Sequence, residues 1–113
     1  MNLDNIYFEL IKSGKKIYET RVYDEKRRKI QLLDIVIFKD RESGKTFKAL
    51  ITELSYFKNF EEAILESGLK KVLPNARSVK EGVNLYESFP HETGTFKTAS
   101  KKFGVLRMKF KLF

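Results

Sequence analysis

The chain has 113 residues, 42% hydrophobic and 34% charged, with ten Phe and five Tyr, the size of one globular domain and too apolar for a disordered tail. No Cys and a single His exclude disulfide staples, thiol chemistry and the usual zinc sites, and fit a cytoplasmic protein that needs no metal or cofactor. Twenty-three Lys and Arg against fifteen Asp and Glu leave a formal charge of +8, so polyanions are the first partners to consider.

The amino terminus, Met-Asn-Leu-Asp, lacks the basic stretch and apolar core of a signal peptide. Leu3, Ile6, Tyr7, Leu10 and Ile11 then recur at the spacing of one helix face, and Gly14 supplies a stop, which predicts a helix over residues 3–13. Ile17 to Tyr23 reads as a half-buried strand with Ile17, Glu19, Arg21 and Tyr23 on one face and Tyr18, Thr20 and Val22 on the other. Asp24 to Lys29 is a charge-dense connection. Residues 34–40 form a second strand around Ile35 to Phe38, the longest apolar run and far too short to span a membrane. Turn residues at 41–45 join it to a third strand over 46–54, so the pair is expected to be an antiparallel hairpin.

Asn59 is a candidate N-cap for a short helix carrying Phe60, Ala63, Ile64 and Leu65 and ending at Gly68. Ser78-Val-Lys-Glu81 has capping-box form, and Val79, Val83 and Tyr86 continue it as a helix to about Phe89. Pro90 to Lys102 is polar and shows neither period, so it is expected to be a mobile loop. Leu106, Met108, Phe110 and Leu112 alternate with Arg107, Lys109 and Lys111, a strand with an apolar inner and a basic outer face. Together these elements predict one α+β domain over residues 1–113.

Residues 14–21, Gly-Lys-Lys-Ile-Tyr-Glu-Thr-Arg, fit the G-x-K-x-x-E-x-R signature of ASCH domains, small barrels of the PUA-like superfamily. The chain resembles that family through Gly14, Lys16, Glu19 and Arg21. The likeness continues through Asp34, the Tyr56 to Glu62 segment, Val72-Leu73-Pro74, Ser78 to Val83 and Gly104-Val105. It departs at Leu33, where the family usually has Gly before the Asp, and at Asn75, where Gly usually follows Leu-Pro. The resemblance implies a PUA-like mixed β-barrel with flanking helices and a cleft that binds RNA or a modified nucleoside. One branch of related proteins hydrolyses the acetyl amide of N4-acetylcytidine with a Lys, a Thr and a Glu. The Lys falls on Lys16 and the Glu on Glu81, but the Thr falls on Glu19, and strand alternation turns Thr20 away from that face.

The candidate ligand-binding residues are therefore Lys16, Glu19, Arg21 and Glu81, lining a basic cleft; Lys16, Glu19 and Glu81 would be catalytic only if the protein is an enzyme. Arg supplies paired donors and Glu acceptors, the equipment for the edge of a nucleobase. Each has a plainer reading. Glu19 and Arg21 can form a structural ion pair, and Glu81 sits where it can merely bond back to its own N-cap. His91 reads as a surface residue and the lysine runs as solvated faces. Two other functions stay open beside nucleoside or RNA binding: an amidohydrolase for acylated cytidine, and a protein-interaction module.

Overall fold

The computed structural model describes residues 1–113. Its frame is a curled five-stranded sheet. A short strand β1 (Asn2–Leu3) precedes helix α1 (Asn5–Lys12) and strand β2 (Tyr18–Val22); a 3-10 turn (Arg27–Lys29) leads to the hairpin of β3 (Ile35–Asp40) and β4 (Thr46–Phe57). Helices α2 (Phe60–Ser67), α3 (Leu69–Val72) and α4 (Val79–Glu87) follow, then a two-stranded ribbon of β5 (Pro90–His91) and β6 (Gly94–Thr95), helix α5 (Phe96–Phe103) and strand β7 (Val105–Leu112). The sheet runs in the order β1-β3-β4-β7-β2; all its pairings are antiparallel except β1 with β3.

Alternation explains the inner face. Val36 and Phe38 on β3 are buried between exposed Ile35 and Ile37, and they meet Ile51 of β4 and Leu106 and Met108 of β7 in one core. A register shift between Ile51 and Glu53 bends the long β4, as a bulge does, and lets the sheet curl. The curl brings its two outer strands together: Arg21 Nη2 on β2 donates to the Asn2 carbonyl on β1 at 3.0 Å. The barrel is thus closed along one seam by a side chain instead of a strand ladder.

Helix α1 packs on β3, and its Phe8 ring lies 4.9 Å from that of Phe47 on β4, while α2 packs on β4 and β7 and α5 on β2. Asn59 and Ser78 accept from the N3 backbone N–H groups of α2 and α4, as expected of N-caps. Gly82 lets α4 approach closely, since a Cβ there would sit 3.0 Å from Leu69 and 3.3 Å from Ile64 and Leu73. Phe60 of α2 stacks between Tyr86 of α4 at 4.8 Å and Phe96 of α5 at 5.8 Å, an aromatic column tying three helices together.

Three expectations need correction. The first helix starts at Asn5, because Leu3 pairs with Asp40 in β1. The segment 90–102 is a ribbon and a helix: Phe96, Ala99, Ser100 and Phe103 recur at helical spacing, Phe96, Ala99 and Ser100 are buried, and Thr95 and Thr98 form a capping box. The four lysines and threonines facing solvent had masked that stripe. Arg107 is only 5% exposed although it sits on the outer face of β7, because α2 covers that half of the strand. Its guanidinium bonds Glu53, Glu66, Ser55 and Ser67 and lies over the Tyr18 ring. At the two departures from the family pattern, Asn75 keeps a negative φ and Leu33 takes φ +71°.

Candidate functional site

The seam is lined by a cavity of about 260 Å³. Its inner end is built by the Gly14 to Arg21 segment. Gly14 at φ +81° ends α1 and turns the chain. The Lys16 N–H then donates to the Leu10 carbonyl (3.0 Å) and the Ile17 N–H to the Lys71 carbonyl (2.8 Å), which drives the Lys16 side chain inward.

Lys16 is 2% exposed. Its ammonium donates to the Val72 carbonyl, lies 3.4 Å from the Tyr86 hydroxyl and 3.5 Å from Glu19 Oε1. Three donors thus meet three acceptors, the full capacity of an ammonium. Burial pushes the Lys16 ammonium down from its ordinary pKa, and the Glu19 carboxylate opposes that shift. Burial alone would push Glu19 up, but Arg21, Lys16 and the Thr20 N–H together hold its carboxyl below the usual range. Arg21 grips Glu19 Oε2 through Nε at 3.2 Å and Nη2 at 3.1 Å, leaving Nη1 without a bond inside the chain. Burial pushes the Tyr86 hydroxyl up, so it stays protonated.

Lys16, Glu19 and Arg21 therefore converge, and Glu81 does not join them. Glu81 is exposed on the first turn of α4, away from the cavity, where its N–H donates to Ser78. Thr20, in contrast, lines the same cavity as Glu19. Alternation sends the two to opposite faces of the sheet, but β2 is an edge strand and its open edge borders the cavity, so both faces reach it. Thr20 Oγ1 is the one buried side-chain polar atom without a hydrogen-bond partner.

Sequence reasoning also missed His91 and Asp24. His91 sits on the ribbon with Nε2 2.8 Å from Asp24 Oδ2. The Thr93 N–H donates to its Nδ1, which leaves Nε2 as the nitrogen that donates to the carboxylate. Asp24 in turn accepts from the Arg27 N–H at 3.0 Å. Burial raises its carboxyl, but the bonds from His91 and Arg27 more than offset that and lower it. A lone His in a polar stretch gives no hint of a partner 67 residues away.

Leu3, Tyr7, Leu73, Tyr86, Phe89 and Phe96 supply apolar and aromatic walls. Charge is almost balanced along the lining, with Lys16, Arg21, Lys26, Arg27 and Arg41 against Asp4, Glu19, Asp24 and Glu92. The cleft expected to be basic is close to neutral inside, and the positive excess lies elsewhere. No three His, Cys, Asp or Glu side chains converge as a metal site, and no helix is long and apolar enough to cross a membrane.

A family model for the ASCH domain matches residues 1–106. The chain belongs to the ASCH domain family. The crystal structure of hypothetical protein PH0355 is similar to this ASCH domain over 100% of its length and 96% of that chain, with a TM-score of 0.85 and 38% identity. The solution NMR structure of protein PF0455 from Pyrococcus furiosus is similar over 100% of this chain and 98% of that one, with a TM-score of 0.74 and 32% identity. No curated protein matches the chain. The fold is thus α+β of the PUA-like type, and the family is generally RNA-binding-like. The signature residues gain a physical reading from the seam: the Gly turns the chain, the Lys fills the inner end, and the Glu-Arg pair joins that end to the opposite edge strand.

Proposed function

We propose that this ASCH domain binds RNA by holding one nucleobase or nucleoside in the seam cavity. The observation that carries the reading is the Glu19–Arg21 pair at the inner end of a near-neutral, aromatic-walled cavity. A space of about 260 Å³ lies just below the roughly 300–1,000 Å³ of drug-sized sites, so it suits one base or nucleoside and not a longer strand. A balanced lining favours a neutral ligand, because a phosphate there would face four carboxylates as well as five cations. The free Nη1 of Arg21, the Glu19 carboxylate and the Thr20 hydroxyl offer donors and acceptors to a base edge, while Tyr7, Tyr86, Phe89 and Phe96 offer ring surface.

The test is thermal shift and calorimetry with a panel of unmodified and modified nucleosides. A ligand at a hundred times its Kd stabilises the folded state by about 2.7 kcal/mol. Arg21→Lys keeps the charge but loses the fork, and should abolish the shift. Equal shifts in wild type and Arg21→Lys would refute the cavity as the binding site.

One observation favours a second reading, hydrolysis of an acylated nucleoside: the unpartnered Thr20 hydroxyl lies in the cavity that holds Lys16. A nucleophilic hydroxyl needs a base beside it. Lys16 Nζ makes its three contacts to Val72, Tyr86 and Glu19 and none to Thr20, and Glu81 lies away from the cavity. Incubation with N4-acetylcytidine should therefore release no cytidine above background by chromatography. Turnover lost in Thr20→Val would reverse the order of the two readings.

A further inference from the structure

Beyond the cavity mouth, the surface carries an aromatic pair: Tyr23, which is partly buried against the core, and Tyr56, which is exposed. Glu19, Arg21 and Tyr23 occupy alternate positions, so they share one face and Tyr23 stands about 13 Å along the chain from Glu19, at about 3.3 Å per residue. Tyr56 lies on the same sheet face. It pairs with Leu106 on β7, and Leu106 pairs on its other side with Arg21. The rings of Tyr23 and Tyr56 stand 4.8 Å apart at 54°, and the Arg28 guanidinium lies over Tyr23 at 4.4 Å.

Two features separate this pair from ordinary core aromatics. Tyr56 is 56% exposed, and no other aromatic residue except the terminal Phe113 is found among the exposed large apolar side chains. The pair also borders the chain's densest basic run. Arg28 is flanked by Lys26, Arg27 and Lys29, and Lys26 and Arg27 themselves line the cavity. Arg27 is held by Asp24, but Lys26 and Lys29 have no carboxylate partner, and an exposed ring beside such cations is what an unstacked base and its phosphate require.

We propose that Tyr23 and Tyr56, with Arg28, form a second base-binding subsite, which stacks the nucleotide next to the one held in the cavity when the ligand is single-stranded RNA. The inference rests on the cavity reading above and extends it from one nucleotide to two. Arg28 already covers one side of Tyr23, so the exposed ring of Tyr56 is the open surface, and the Lys26 to Lys29 run meets the connecting phosphate. A neutral pocket for a base and a basic, aromatic ledge for its neighbour divide the recognition of one short strand between them.

The experiment compares binding of a short fluorescent oligoribonucleotide, by anisotropy, with binding of a single nucleoside, by calorimetry. Tyr56→Ala should weaken the oligonucleotide roughly tenfold to a hundredfold and leave the nucleoside unchanged; Tyr56→Phe, which keeps the ring, should bind within about twofold of wild type. Because the chain has no Trp, Tyr56→Trp adds a single reporter whose fluorescence should be quenched by the oligonucleotide and not by the nucleoside. Oligonucleotide affinity unchanged in Tyr56→Ala but lost in Arg21→Lys would overturn the subsite and leave the cavity reading standing. Binding of neither ligand to the wild type would overturn both. A dimer that dissociates on Tyr56→Ala would assign the patch to protein contact and also overturn it.

Discussion

Glu19 is held by two cations and a backbone N–H at a largely buried position, and this makes its ionisation part of the fold. Its carboxyl pKa is lowered in the folded state. The stabilisation is therefore present above the unfolded carboxylate pKa of about 4.3 and is lost as pH falls through the lower folded value. Urea unfolding should show stability falling between pH 5 and more acidic solution, and Glu19→Gln should flatten that acid limb while lowering stability at pH 7. Removing one partner of such a buried group costs about 3–5 kcal/mol; a Glu19→Gln variant as stable as wild type at pH 7 would contradict the ion-pair account. Leu33 raises the opposite case. It is 70% exposed, holds φ +71° and donates its N–H to the Ile51 carbonyl at 2.8 Å. A left-handed backbone costs a non-Gly residue about 1–2 kcal/mol, and the lost side chain contributes little burial. Leu33→Gly should raise stability by about 0.5–1 kcal/mol after the greater unfolded-state freedom of Gly is deducted, seen as a higher urea midpoint at unchanged slope.

At the scale of elements, β7 shows how far alternation carries and where it stops. Its buried positions run Val105, Leu106, Arg107 and Met108 before the pattern opens to exposed Lys109 and Lys111. One strand thus passes from a face covered by α2 to an open one. Alternation assigns Arg107 its face but not what lies over it. Arg107→Ala removes both the ion pairs and the packing of the stem on Tyr18 and Phe57, and should cost about 2 kcal/mol, whereas Arg107→Met keeps the packing and should cost about half as much. Equal losses by chemical denaturation would show that packing contributes nothing. The same limit explains the rest of what was and was not legible. Strands β2, β3, β4 and β7 and helices α1, α2 and α4 follow from period and caps, and Lys16, Glu19 and Arg21 from their motif. Helix α5 was hidden because its apolar stripe is only four residues long amid lysines and threonines. His91, Asp24 and Thr20 were hidden because their roles depend on which elements the topology places at an open strand edge, and local pattern carries no such information.

Over the whole molecule, charge and cavity separate. The chain carries +8, yet the seam is almost balanced, so the excess sits on its surroundings: the Lys26 to Lys29 run, Lys70-Lys71, Lys101-Lys102, and Lys109 and Lys111 on the open half of β7. A nucleoside has no phosphate and releases no counterions, whereas a strand crossing the basic rim does. Log affinity for single strands falls with log salt at about −0.7 per phosphate neutralised. If Lys26, Arg28 and Lys29 meet three phosphates, the slope is about −2, and raising salt from about 50 to 200 mM should weaken an oligonucleotide roughly twentyfold. Nucleoside affinity over the same range should be flat. Substituting Lys29→Ala should make the oligonucleotide slope shallower by one phosphate's worth and leave the nucleoside untouched. A nucleoside affinity that falls as steeply as the oligonucleotide's would place a charged group inside the seam and contradict the division. Weak oligonucleotide binding at every salt concentration would turn attention to the protein-interaction reading, for which the basic rim would be a surface for an acidic partner.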